Sequence, residues 1–211
     1  MNLIYNGPNQ GPLFVFAHGA GAPANSDFME TIATGLALRG IRVARFNFAY
    51  MQQRVDTGTR RPPARAEKLV VEFAELIADL DQPMVIGGKS MGGRLASLLV
   101  AQSADDNKVK GVVCLGYPFH PVAKPETLRT AHLPFIKQKV LIIQGDRDKL
   151  GSREEVLSYG LPKEIQWLWL EDGDHDLKPR VKSGFTQQAH LQKALDKMAL
   201  FIKMLIKNAL A

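Results

Sequence analysis

The stretch Pro83-Met84-Val85-Ile86-Gly87-Gly88-Lys89-Ser90-Met91-Gly92-Gly93-Arg94 decides the fold of this chain. Its apolar start predicts a short buried strand over residues 84–86, and its end predicts a helix. The turn between them carries Gly88-x-Ser90-x-Gly92, the G-x-S-x-G pattern of a nucleophile elbow. In such a turn the residues two before and two after the serine approach each other, and a Cβ at either would clash. The stretch therefore predicts a strained serine whose hydroxyl is presented to solvent.

The helix after the serine is predicted to begin at Met91 and to end near Gln102. Free backbone N–H groups at a helix N-terminus carry partial positive charge and stabilise an oxyanion. A second donor is expected from the glycine-rich turn His18-Gly19-Ala20-Gly21, which follows an apolar strand pattern. We therefore predict that the amides of Met91 and Ala20 form an oxyanion hole. We expect His18 to anchor that turn rather than to take part in the chemistry.

A phosphate-binding P-loop is the main alternative for the same residues, because Gly88-Lys89-Ser90 matches the end of that motif. The motif also needs a glycine five positions before Gly88, where the sequence has Pro83. Apolar strand residues continue to Ile86, so little chain remains to wrap a phosphate. The sequence favours the nucleophile elbow.

Strand and helix patterns alternate along the whole chain. This alternation predicts a three-layer α/β/α sandwich with a mostly parallel sheet, formed as one domain over residues 1–211. Residues 50–64 are predicted to be a polar, basic loop, and a capping box at Ser152-Arg153-Glu154-Glu155 is predicted to open a short helix. The other predicted helices cover about 26–39, 69–80, 91–102 and 186–208, and the predicted strands cover 13–17, 41–48, 84–86, 110–115, 139–144 and 165–170.

Partners for Ser90 are expected outside the carboxyl ends of the strands, where sites form in such sheets. A serine needs a base within hydrogen-bond reach, and the base needs an orienting group. His175 follows the last predicted strand and is the predicted base. Asp146 and Asp148 both follow the strand at 139–144, and the sequence pattern alone does not decide which of them is the acid.

Composition is that of an ordinary globular protein: 211 residues, 45% hydrophobic and 23% charged, with a net charge of +6. No apolar run is long enough to span a membrane. The basic residues are dispersed, which favours a solvated surface over a nucleic-acid site. Cys114 lies in an apolar strand pattern and reads as a small buried hydrophobe. We predict no metal, no other cofactor, no membrane association and a cytoplasmic location; the sequence leaves the oligomeric state open.

These motifs resemble the α/β-hydrolase superfamily along nearly the whole chain. The resemblance rests on residues 18–22, 87–94 and 144–148 and on His175 after the last strand. More narrowly, it is to small, lidless hydrolases related to dienelactone hydrolases, a branch that includes the hydrolase-like domain of a chromatin acetyltransferase-complex subunit. The resemblance implies that Asp148 rather than Asp146 is the acid. Dienelactone hydrolases use a cysteine nucleophile, whereas this chain has Ser90.

The function that the resemblance implies is a serine hydrolase that cleaves a carboxylic ester or thioester, with Ser90, His175 and Asp148 as a catalytic triad. An alternative is a hydrolase-fold interaction module whose site is vestigial. Basic residues Arg60 and Arg61 raise the hypothesis of an anionic substrate. Three aromatic residues are predicted to wall the substrate pocket: Tyr117, Phe119 and Phe48.

Overall fold

A computed structural model describes residues 2–102 and 108–210. Within these residues the chain forms seven strands: β1 Leu3–Asn6, β2 Leu13–Ala17, β3 Arg42–Phe46, β4 Met84–Lys89, β5 Val109–Leu115, β6 Lys139–Gly145 and β7 Gln166–Leu170. They form one sheet in the order β1-β3-β2-β4-β5-β6-β7. The edge strand β1 is antiparallel to β3, and the other neighbouring pairs are parallel.

Helices cover both faces of the sheet, because successive strand side chains point to opposite sides. The helices are α1 Asp27–Ala37, α2 Ala49–Thr57, α3 Ala66–Ala78, α4 Met91–Gln102, α5 Arg153–Ser158 and α6 Gln187–Leu210. Phe14 and Phe16 of β2 pack in one apolar core with α1 and α6, whereas Val15 packs in a second core with α3 and α4. The predicted three-layer sandwich with a mostly parallel sheet is confirmed.

Helix α2 corrects the prediction of a polar loop over residues 50–64. Its periodicity is weak in the sequence because only Tyr50 and Met51 are buried, while its outer face is polar. Gly58 ends the helix in the left-handed conformation at φ +70°, as a C-terminal glycine commonly does. The edge strand β1 was also missed, since its burial is only partial.

The start of α5 and the connection after β5 both have the predicted local structure. The capping box is present at the start of α5: the Ser152 hydroxyl accepts from the Glu155 amide, and the Glu155 carboxylate accepts from the Ser152 amide. The connection over residues 116–137 contains only a short 3₁₀ helix, Leu133–Phe135, so it forms no large lid. None of the helices in the described part of the chain has both the length and the apolarity needed to cross a bilayer.

Candidate active site

Ser90 lies on the sharp turn between β4 and α4, with its backbone at φ +52°. This left-handed conformation is costly for a residue with a Cβ, so the surrounding structure must hold it. The Ser90 amide donates to the Leu115 carbonyl at 2.8 Å. A Cβ on Gly88 would lie 2.4 Å from the carbonyl carbon of Gly92, and one on Gly92 would lie 2.5 Å from the Ala17 oxygen. The two glycines are therefore required for the turn, as the motif predicts.

A chain of hydrogen bonds runs from Ser90 through His175 to Asp148. The distance from Ser90 Oγ to His175 Nε2 is 2.9 Å, and that from His175 Nδ1 to Asp148 Oδ2 is 2.7 Å. Because the carboxylate can only accept, Nδ1 carries the imidazole proton and Nε2 is left free to accept from the serine hydroxyl. The three residues come from the ends of β4, β6 and β7, which meet at the carboxyl edge of the sheet.

Asp148 is fully buried, and both oxygens of its carboxylate accept hydrogen bonds. Besides His175, its Oδ2 accepts from the Gln144 side-chain amide at 2.9 Å, and its Oδ1 accepts from the Leu150 amide at 2.9 Å. Asp146 makes no hydrogen bond to His175 within the described residues. Of the two candidate acids, the structure thus brings Asp148 to the histidine.

Gln144, which sequence reasoning did not assign to the site, is a fully buried amide at the end of β6. Its side-chain oxygen accepts from the Tyr117 amide at 2.7 Å while its nitrogen donates to Asp148. It therefore fixes the carboxylate against the neighbouring strand end. The sequence does contain a signal for this role: Gln144 is a polar residue at the end of an otherwise apolar strand pattern.

Lys89 is a second residue that sequence reasoning left out of the site. Its ammonium group donates to the His175 carbonyl at 2.7 Å and lies 3.2 Å from Asp176 Oδ1. Burial lowers the pKa of Lys89, and the Asp176 carboxylate opposes that shift. The contact ties the loop that carries His175 to the residue that precedes Ser90.

The turn at residues 19–22 lies beside Ser90 and is held by helix α2. The Tyr50 hydroxyl donates to the Ala20 carbonyl at 3.1 Å, and the Arg54 guanidinium donates to the Gly21 carbonyl at 3.0 Å. Burial raises the pKa of Tyr50 to about 12, so its hydroxyl remains a donor. Met91 is the first residue of α4, where amides have no intrahelical acceptor. The turn is thereby held beside Ser90, and the roles of the Ala20 and Met91 amides as oxyanion donors stay predictions.

His18 is buried below this turn. Its Nε2 accepts from the Phe48 amide at 3.2 Å, and its Nδ1 lies 2.6 Å from the Gly19 oxygen. Burial lowers the pKa of His18 to about 4, so the ring is neutral near pH 7. These contacts agree with the expected anchoring role.

Comparison with known proteins identifies the fold family. A family model described as an alpha/beta hydrolase domain matches residues 10–203. The chain belongs to the α/β-hydrolase family. This confirms the family resemblance, whereas the narrower relation to a chromatin acetyltransferase-complex subunit stays a prediction.

Solved structures of other α/β hydrolases share this architecture at low sequence identity. The esterase domain of a Rhodothermus marinus protein is 16% identical, with a TM-score of 0.66, covering 96% of this chain and 92% of that one. A thioesterase domain from the curacin biosynthetic pathway is 15% identical, with a TM-score of 0.64 and coverages of 96% and 94%. Dienelactone hydrolase from Anabaena variabilis is 21% identical, with a TM-score of 0.62 and coverages of 92% and 89%. Identities this low show a common fold and no more.

The cavity beside Ser90 in this α/β hydrolase is not lined by the residues that the sequence predicted. Tyr117, Phe119 and Phe48 are fully buried in the core and do not line it. Phe119 stacks on Trp167, since the chain turns inward after β5. The cavity has a volume of about 270 Å³, and it is lined mainly by the turn at residues 19–22, by Ser26, Phe28 and Met29, and by Lys89, Ser90, His175 and Asp176.

The acidic residues around His175 are engaged with protein groups. Arg180 is bonded to Asp172, and this contact lowers the pKa of that carboxyl to about 2. Asp174 accepts from the amides of Asp176 and Lys178, both at 2.9 Å. Over residues 2–102 and 108–210, no group of three or more acidic, histidine or cysteine side chains is arranged to hold a metal.

Proposed function

We propose that this α/β hydrolase is a serine hydrolase that cleaves a carboxylic ester or thioester. The observation that carries the proposal is the hydrogen-bond chain Ser90–His175–Asp148, with heavy-atom distances of 2.9 and 2.7 Å. Both distances lie in the range in which a base activates a serine hydroxyl. The strained backbone of Ser90 further supports a catalytic role, because such conformations cluster at active sites.

In the first half-reaction, Ser90 Oγ attacks the carbonyl carbon and its proton passes to His175 Nε2. The Asp148 carboxylate stabilises the imidazolium that forms. The developing oxyanion accepts from the amides of Ala20 and Met91, and each such donor is typically worth roughly 3–4 kcal/mol. As the carbon–oxygen or carbon–sulfur bond breaks, His175 returns the proton to the leaving alcohol or thiol, and the acyl group remains on Ser90.

In the second half-reaction, water replaces the leaving group. His175 takes a proton from the water, whose oxygen attacks the acyl carbon, and then gives the proton back to Ser90 as the acid product departs. The Lys89 bond to the His175 carbonyl supports both steps, because it fixes the loop on which the imidazole must stay aligned.

The size of the cavity favours a substrate with a short acyl chain. A volume of about 270 Å³ that is open to solvent suits a short acyl chain. Phe28 and Met29 supply apolar surface on one side, and Lys89 with Asp176 supplies a polar side. We therefore expect short-chain esters and thioesters to be better substrates than long-chain lipids.

Hydrolysis of 4-nitrophenyl acetate and of a short acyl thioester tests the proposal. Native protein is expected to turn over at least one of them, and Ser90→Ala is expected to lower kcat/KM at least about 10³-fold. Ser158→Ala is the matched control, since Ser158 is an exposed residue whose hydroxyl donates to the Glu155 carbonyl of its own helix. Folded native protein that is no more active than Ser90→Ala would refute the proposal and favour the interaction-module alternative.

A further inference from the structure

A second cleft adjoins the cavity at Ser90, on the other side of the turn at residues 19–22. Its volume is about 470 Å³. Ala20 and Gly21 line both the cleft and the cavity, so the two spaces share that turn as a wall. The remaining lining residues come from α2 and the segment after it: Arg54, Arg60, Arg61, Pro62 and Pro63.

Three arginines give this cleft, called the arginine cleft below, its positive charge. Within the described residues, no carboxylate lies within ion-pair distance of Arg54, Arg60 or Arg61. The acids carried by nearby helices bind other groups: Asp56 accepts from the Gln52 side chain, and Glu72 accepts from the Ala49 amide.

Four arginines elsewhere in the chain do have acidic partners. Arg39, Arg45, Arg147 and Arg180 each pair with an acidic side chain. Arg54 uses one guanidinium nitrogen on the Gly21 carbonyl. Three arginines that form no ion pair among the described residues thus lie together beside the proposed oxyanion turn.

Chemistry and rigidity suit this cleft to an anionic ligand. Guanidinium groups present paired donors that match phosphate oxygens. Pro62 and Pro63 restrict the backbone that carries Arg60 and Arg61, which lowers the entropy lost when the segment is ordered by a ligand. Phosphate, with its several charged oxygens, can engage more than one arginine at once.

We propose that the arginine cleft binds phosphate groups on the leaving group of the substrate. The substrate is then an acyl ester of a phosphorylated alcohol or an acyl thioester of a phosphorylated thiol. The inference rests on the proposed function of Ser90. The apolar side of the smaller cavity, with Phe28 and Met29, takes the acyl group. The carbonyl lies between the two spaces, at the turn that they share.

Binding to a Ser90→Ala protein tests the cleft without requiring turnover. We would titrate coenzyme A, as a phosphorylated thiol, and pantetheine, which lacks the phosphates, by isothermal calorimetry. Coenzyme A is expected to bind more tightly than pantetheine. Adding Arg60→Gln and Arg61→Gln is expected to weaken coenzyme A binding about tenfold, because two exposed ionic contacts are removed. The affinity is also expected to fall as salt rises.

The matched control carries Lys139→Gln and Lys163→Gln, which remove the same charge at exposed positions at or before the amino ends of β6 and β7, on the opposite edge of the sheet. It is expected to bind coenzyme A as well as Ser90→Ala alone. Equal affinity for coenzyme A and pantetheine, or equal loss in the arginine and lysine variants, would overturn the proposal. Binding by the Ser90→Ala protein without hydrolysis by the native one would instead refute the proposed function and leave the phosphate site standing.

Discussion

Replacing Asp148 by asparagine keeps the side-chain shape and removes the charge that faces His175. The carboxylate has donors on both oxygens: the His175 and Gln144 side chains at Oδ2 and the Leu150 amide at Oδ1. An asparagine has only one acceptor oxygen, so either orientation of its amide sets a donor against a donor. A buried mismatch of this kind costs about 1–3 kcal/mol of stability.

The effect on rate is expected to be larger than the effect on stability. If the new NH₂ group faces His175, the imidazole must accept at Nδ1 and carry its proton on Nε2, where it can no longer take the serine proton. If the oxygen faces His175, the imidazolium forms without a neighbouring negative charge. Either way we expect kcat/KM to fall about 10³–10⁴-fold.

The matched control is Asp146→Asn, since Asp146 lies in the same turn but makes no hydrogen bond to His175 within the described residues. The assay is hydrolysis of 4-nitrophenyl acetate, with urea unfolding of each variant to show that it is folded. Asp146→Asn is expected to stay within about threefold of the native kcat/KM, as for a change away from the reacting groups. A larger loss from Asp146→Asn than from Asp148→Asn would refute the assignment of the acid.

Three further predictions concern the surroundings of the site. Gly92→Ala should lower the free energy of urea unfolding by about 3 kcal/mol, because its Cβ would lie 2.5 Å from a β2 carbonyl oxygen. Gly21→Ala is the control, since its Cβ would have no neighbouring atom within 4 Å, and it should change that free energy by under about 0.5 kcal/mol. Lys89→Met should lower kcat about tenfold, because it frees the loop that carries His175. Lys89 also lines the cavity, so KM should change by a smaller factor, and an increase in KM alone would contradict a positioning role. The folded pKa of His18, about 4, lies below its unfolded value of 6.5, so its contribution to stability is full above pH 6.5 and is lost as the pH falls toward 4. Between pH 7 and pH 5 the native protein should therefore lose about 2 kcal/mol more unfolding free energy than His18→Gln; equal losses would show that the buried ring is not the cause.

Local motifs account for what the sequence predicts well. The Gly88-x-Ser90-x-Gly92 turn is specified within five residues, since its glycines are required by contacts of 2.4 and 2.5 Å. The alternation of strands and helices predicts a parallel sheet, and a parallel sheet places the ends of its strands together. His175 follows the last strand, so the topology alone places it at the same edge of the sheet as Ser90.

The acid, the pocket lining and the role of Lys89 depend on how the chain turns after each strand. The hydrophobic pattern of the sequence does not predict these turns. Asp146 and Asp148 lie in one turn, and only its fold directs Asp148 toward His175. Tyr117 and Phe119 follow β5 at the correct edge but point into the core, where apolar burial is favourable. Lys89 occupies a variable position of the G-x-S-x-G motif, so the motif does not predict its role. Its partner is the carbonyl of His175, which lies 86 positions away in the sequence.

Labelling with a small fluorophosphonate, followed by intact-mass measurement and peptide mapping, tests the central claim most directly. One adduct is expected on Ser90 of the native protein, and none on Ser90→Ala or His175→Ala. Ser97 is an internal comparison: its hydroxyl lies 2.8 Å from His132 Nε2, but it is fully buried and bonded to the Arg94 carbonyl, so it should stay unlabelled. Folded native protein that gains no adduct, or gains it on another serine, would contradict an activated nucleophile at Ser90.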